Sequence, residues 1–195
     1  QPIRELIKLL LKGVPFSSLT TISQTVISRN KNSALPVNKN WKDIELNSHE
    51  KCITDKKAFA SNFVIFEKES NKVNAARLIE PSGEMNVILN PPFHPMNEAE
   101  ADRTYDLPYS YLPHHRYINK GSIPAYEMIK FSINIHRGCF GGCSFCAIAA
   151  HQGKQIVKRS EKSILAEIEK IKKLPEFKGY LSDLGGPSAN MYMMK

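Results

Sequence analysis

No stretch of this sequence approaches the roughly 20 consecutive apolar residues that span a bilayer, and its opening lacks the small-residue cleavage site of a secretory signal. These residues therefore carry no membrane or export signal of their own. Cysteine is scarce: there are four, three of which crowd into positions 139–146 while Cys52 stands alone. That pattern excludes an evenly spaced disulfide framework and suits a metal site in a reducing compartment, so a cytoplasmic location is expected. Acidic residues are in the minority, 19 against 27 Lys and Arg, leaving a formal charge of +8. Such a surplus attracts phosphate without sequence recognition. The lysines are scattered, however, and no aromatic ladder accompanies them. The charge reads as a solvated basic surface, compatible with nucleic acid but supported by no binding motif. An initiator Met is also missing. The chain opens on Gln1-Pro2 and stops on Met191-Tyr192-Met193-Met194-Lys195, so we expect a piece of a longer protein.

What is present begins with enough apolar residues, 42%, for a buried core. Helical spacing over 2–12, with Gly13 and Pro15 as the stop, predicts a short amphipathic helix. Residues 20–28 predict a strand and 30–40 a polar connector. Apolar positions Cys52, Ile53, Phe59, Phe63 and Phe66 predict a second helix over 48–69, with Cys52 on its apolar face. A hairpin over 75–80 and 84–89 turns at Pro81-Ser82-Gly83. A Pro-rich, irregular segment follows, containing one short helix near 97–105. His94, His114 and His115 lie in that segment without ligand spacing.

The character changes at Ala125, which divides the chain into an N-terminal α+β region, 1–124, and a second region, 125–195. In the latter, residues 128–135 predict a strand running into a Gly- and Cys-rich loop. Residues 160–173 predict a helix with Ser160 as N-cap and Ile164, Leu165, Ile168 and Ile171 on one face. Residues 180–184 predict a second strand. Strand, loop, helix, strand is one βαβ unit, and one unit cannot bury both faces of a parallel sheet. Further strands are therefore expected beyond Lys195.

The loop reads Arg137-Gly138-Cys139-Phe140-Gly141-Gly142-Cys143-Ser144-Phe145-Cys146. Three thiolates spaced C-x3-C-x2-C can each hold one iron of a cubane and leave the fourth iron without a protein ligand, whereas ordinary electron-transfer clusters take four cysteines. Glycines at 138, 141 and 142 let the backbone wrap a bulky cluster and point amides at its sulfurs. Zinc completed by His136 or His151 is the rival reading of the same thiols. The spacing and the glycines argue against it.

The segment resembles the radical S-adenosylmethionine (SAM) signature, with Phe145 in the aromatic slot before Cys146. Arg137 to Cys143, together with Ser182-Asp183-Leu184-Gly185-Gly186-Pro187-Ser188-Ala189-Asn190-Met191-Tyr192, resembles the YgiQ family of radical SAM proteins. Asn90-Pro91-Pro92, Asp106-Leu107-Pro108-Tyr109 and Ile123-Pro124-Ala125-Tyr126 fit that family as well.

The resemblance implies an α/β fold: the first βαβ portion of a partial (β/α)6 radical SAM barrel, preceded by a mixed α+β N-terminal region. It implies a 4Fe-4S cluster on Cys139, Cys143 and Cys146, SAM on its open iron, and a 5′-deoxyadenosyl radical that takes hydrogen from an unknown substrate. Phe145, Gly185 and Gly186 would contact SAM. Pro187 stands where the superfamily's Gly-Gly-Glu stretch has an acid, and Asp183 and Ser182 are further candidates for facing the pocket. A flavodoxin- or ferredoxin-like one-electron reductant is implied as partner. This piece alone is expected to be inactive. The alternative is a non-catalytic zinc or iron-sulfur module with a basic, RNA-binding surface.

Overall fold

The computed structural model describes residues 1–186 and 189–194, which form two compact units, Gln1–His94 and Pro95–Lys195. Among the described residues no helix is long and apolar enough to cross a membrane.

The first unit opens with the expected amphipathic helix, α1 (Pro2–Leu11), whose proline sits in the first turn where its missing N–H has no partner to lose. Strand β1 (Val26–Asn30) starts later than the β-branched run from residue 20 suggests. The amide of Asn90 holds residues 20–25 as a loop, donating to the carbonyls of Thr20 (2.9 Å) and Ile22 (3.0 Å). Strand β2 (Asp43–Glu45), which local patterning does not reveal, pairs in parallel with β3 (Arg77–Ser82). Arg77 holds that pairing with a two-pronged contact to Asp43, 2.9 Å to Oδ1 and 2.7 Å to Oδ2. Strand β4 (Met85–Leu89) forms the expected hairpin with β3, but Pro81 and Ser82, expected in the turn, pair with Asn86 and Met85 and leave the turn to Gly83 and Glu84; the sheet order is β1-β4-β3-β2.

The helix expected over 48–69 is two helices, α2 (His49–Thr54) and α3 (Lys56–Ser70). Asp55 adopts an extended backbone and its carboxylate accepts from the Lys57 N–H at 2.8 Å, capping α3 instead of continuing α2. The buried face also differs. Ala58, Asn62 and Glu69 turn inward, while Phe59, Phe63 and Phe66 are exposed. Specific partners fix that rotation. Asn62 exchanges bonds with the Asn47 backbone, both at 2.9 Å, and Glu69 accepts the buried Ala76 N–H at 2.8 Å. Turning the phenylalanines inward would strand these polar groups. Cys52 is half-buried and accepts from Asn62 Nδ2 at 3.1 Å.

The second unit begins with α4 (Glu98–Tyr105), closed by a capping box between Asn97 and Glu100. From Pro95 onward the Pro-rich segment lies in the same compact unit as the cysteine loop, and α4 packs against β7 (Val157–Lys158) and α7 (Glu161–Ile171). The first two residues of the strand expected over 128–135 belong instead to α5 (Pro124–Ile129), where Pro124 presets the first turn and the Lys130 N–H closes onto the Tyr126 carbonyl at 2.8 Å. Strand β5 is Ser132–Asn134 and is followed by β6 (His136–Arg137), α6 (Ile148–Gln152), β7, α7 and β8 (Asp183–Gly185).

Strands β5 and β8 pair in parallel, with Ser132 opposite Asp183, Ile133 opposite Leu184 and Asn134 opposite Gly185. Helix α7 crosses between them, so the expected βαβ unit is present in a mixed α/β chain. Its core is Phe131, Ile133 and Ile135 against Ile164 and Ile171. Leu165, expected on the buried face of α7, is exposed, and Ser163 and Glu167 turn inward. The cause is Arg159, only 1% exposed, which pairs with Glu167 and donates to Ser163 Oγ (2.9 Å) and the Asn134 carbonyl (2.9 Å).

Candidate functional site

The cysteine loop leaves the carboxyl end of β5. Strand β6 pairs antiparallel with β7, His136 opposite Lys158 and Arg137 opposite Val157, and this two-residue ladder aims the chain into Gly138 and Cys139. Gly138 has φ +90°, and a side chain there would put Cβ 2.1 Å from the Gln155 carbonyl oxygen, so only glycine fits. The Cys139 N–H donates to the Gly153 carbonyl at 3.0 Å, and Cys139 is buried. The start of the loop is thus clamped to the segment that follows α6.

Beyond the clamp, Gly141 lies between two thiols. A Cβ on Gly141 would sit 3.4 Å from Cys139 Sγ and 3.8 Å from Cys143 Sγ, and the Gly141 N–H donates to Cys139 Sγ at 3.4 Å. The Cys146 N–H closes a turn onto the Cys143 carbonyl at 3.0 Å. Cys143 is exposed and Cys146 half-buried, and no disulfide joins any of the four cysteines. Phe145 is 90% exposed, so it does not seal the core beneath the loop.

Among the described residues, no three His, Cys, Asp or Glu side chains are gathered as ligands of one metal ion. The residues present nevertheless fit a thiolate-held cluster. The donors are soft sulfurs, the space between two of them is left open by a glycine, and a backbone amide already points at one sulfur. Of the two imidazoles that could complete a zinc site with these thiols, His136 has its Nε2 engaged, accepting from the Met191 N–H at 3.1 Å.

The second wall comes from β8. Because β5 and β8 run in parallel, their carboxyl ends open at the same edge of the sheet, where α/β proteins place ligands. The Gly185 carbonyl accepts from the Ile135 N–H at 2.8 Å, so one of its lone pairs belongs to the sheet. Gly186 lies against His136: a Cβ there would be 2.0 Å from Nε2 and 2.1 Å from Cε1. The carboxylate of Asp183 lies beside Gly185, Oδ1 3.2 Å from where its Cβ would be. Pro187, at the position of the superfamily's acid, lies outside the described residues. His136 and Arg159 are the contributors that sequence patterning undervalues. The signal for His136 is its place between a strand and a glycine-cysteine loop; Arg159, a single basic residue before the Ser160 cap, offers none.

The sequence model of the Radical SAM N-terminal family matches residues 1–132. The chain belongs to that family. Its relatives are UPF0313 proteins, the YgiQ type of radical SAM protein that the motifs resemble. The UPF0313 protein of Bacteroides thetaiotaomicron is 62% identical over 153 residues, covering 78% of this chain and 24% of its own. That of Porphyromonas gingivalis is 50% identical over 194 residues, 100% of this chain and 30% of its own. That of Geobacter sulfurreducens is 41% identical over 192 residues, 98% and 31%. This radical SAM chain therefore spans about a quarter to a third of the relatives it matches. No solved structure matches it.

Proposed function

We propose that the second unit is the start of a partial (β/α)6 barrel in which Cys139, Cys143 and Cys146 hold three irons of a 4Fe-4S cluster and the fourth iron takes SAM. The observation that carries this reading is that a three-thiol, glycine-lined loop follows β5 and β6 on the same side of the sheet as the Gly185-Gly186 end of β8. When bound, the cluster would supply the electron that cleaves SAM to a 5′-deoxyadenosyl radical, the agent that abstracts hydrogen from a substrate.

The chain's own residues supply position and charge. The Gly141 amide donates to Cys139 Sγ, a hydrogen bond that a cluster-ligating sulfur at this position would keep. Gly185 and Gly186 bring main chain to the edge where the SAM amino group would lie, and Asp183 places a carboxylate beside them. Phe145, exposed on the loop, offers an aromatic face to the adenine. A flavodoxin- or ferredoxin-like reductant, a substrate reached through parts of the protein outside these residues, and a cytoplasmic location complete the proposal.

The test is anaerobic reconstitution of the full-length protein, followed by dithionite and SAM. Iron and sulfide in the ratio of a cubane, together with release of 5′-deoxyadenosine, are expected. One zinc per chain with no iron would instead favour the non-catalytic metal module.

A further inference from the structure

We propose that His136 is a positioning residue whose imidazole locks the Gly185-Gly186 end of β8 and Met191 to the strand that delivers the cysteine loop. The inference rests on the proposed SAM site and assigns the residue that holds its two walls in register.

His136 is 1% exposed and lies in β6, separated from Cys139 only by Arg137 and Gly138. Its ring fills the place of a side chain at Gly186, with Nε2, Cε1 and Cδ2 at 2.0, 2.1 and 2.7 Å from the position of the absent Cβ. The same Nε2 accepts from the Met191 N–H at 3.1 Å. One ring thus touches both Gly186 and Met191, and its own main chain runs directly into the first cysteine.

An aliphatic side chain of similar size would fill the space but leave the buried Met191 N–H without an acceptor. A flat ring with an in-plane lone pair meets both needs. The contact is also unforgiving, because a buried ring packed on all sides cannot swing away to admit a methyl group. Ligand sites held by two loops depend on such supporting contacts to keep their walls at a fixed spacing.

The test uses the full-length protein, anaerobically reconstituted, as wild type, Gly186→Ala, His136→Ala and the double variant. The SAM dissociation constant is measured by equilibrium dialysis at matched iron content. Each single variant is expected to weaken SAM binding by about tenfold or more while keeping its iron, since a displacement near 1 Å in a positioned site has effects of that order. In the double variant the alanine methyl at 186 enters the space left by the imidazole. Binding should therefore be tighter than in Gly186→Ala alone.

Wild-type affinity in Gly186→Ala would overturn the inference. So would losses that simply add in the double variant, or iron lost from Gly186→Ala in step with SAM binding, which would mark a general collapse. If the wild type holds a cluster and binds SAM, any of these results removes this inference alone. A wild type that binds neither removes the proposed function and this inference together.

Discussion

The guanidinium of Arg159 lies 3.9 Å from the centre of the Tyr105 ring while it pairs, fully buried, with Glu167 on α7. This stack and ion pair join α4 and the first turns of α7 to the carboxyl end of β5, from which the cysteine loop leaves. A buried pair is costly to break from one side, because the surviving charge has no solvent to retreat to.

Glu167→Ala should therefore destabilise the second unit by about 3–5 kcal/mol, read as a lower thermal or denaturant midpoint. Replacing both partners with apolar residues of matching volume should cost much less. Equal losses in the single and double replacements would show that packing, and not the stranded charge, is responsible.

At Gly138, φ +90° and the Gln155 carbonyl 2.1 Å from a would-be Cβ combine strain with a backbone clash. Gly138→Ala should cost on the order of 3 kcal/mol locally and prevent cluster assembly, measured as iron bound after reconstitution. An alanine variant that loads iron like the parent would refute the clamp described here.

Among the cysteines, alanine at 139, 143 or 146 should each abolish iron binding in the full-length protein. Cys52→Ala should leave it intact. Its cost is about 1 kcal/mol, the contact from the Asn62 amide to Cys52 Sγ. Loss of iron from the Cys52 variant would mean that the three-thiol assignment is incomplete.

Burial lowers the pKa of His136 from its ordinary 6.5, in keeping with a neutral ring that accepts from Met191. The unfolded chain then binds the proton more readily than the folded one. The stability from this group is fully present above pH 6.5 and is lost as pH falls below 6.5 toward the folded value. Unfolding midpoints of the wild type should drop more steeply below pH 6.5 than those of His136→Gln. Parallel slopes would show that the ring is not protected from protonation.

Much of the second unit was legible in the sequence because its signals are local. Ser160 caps α7 as its position suggests, and the short helix expected near 97–105 is α4; in the first unit the expected hairpin forms as well, with its turn at Gly83-Glu84. Local signals also misled. The aromatic spacing of Phe59, Phe63 and Phe66 describes a helix face correctly but not which way that face points, and the alternation at 128–135 conceals a helix that Pro124 initiates.

By itself the sequence determined the three-cysteine loop, its glycines, the family motifs and the strand-helix-strand order, because each depends on spacing along the chain or on one residue's own conformational limits. Tertiary structure alone decided which side of α3 is buried, that Arg159 is enclosed with Glu167, and that the ring of His136 occupies the space beside Gly186. The first two depend on groups far apart in the chain finding partners for buried polar atoms, whose cost when unpaired outweighs the pull of a hydrophobic stripe, and the third on a ring filling space that a glycine leaves open.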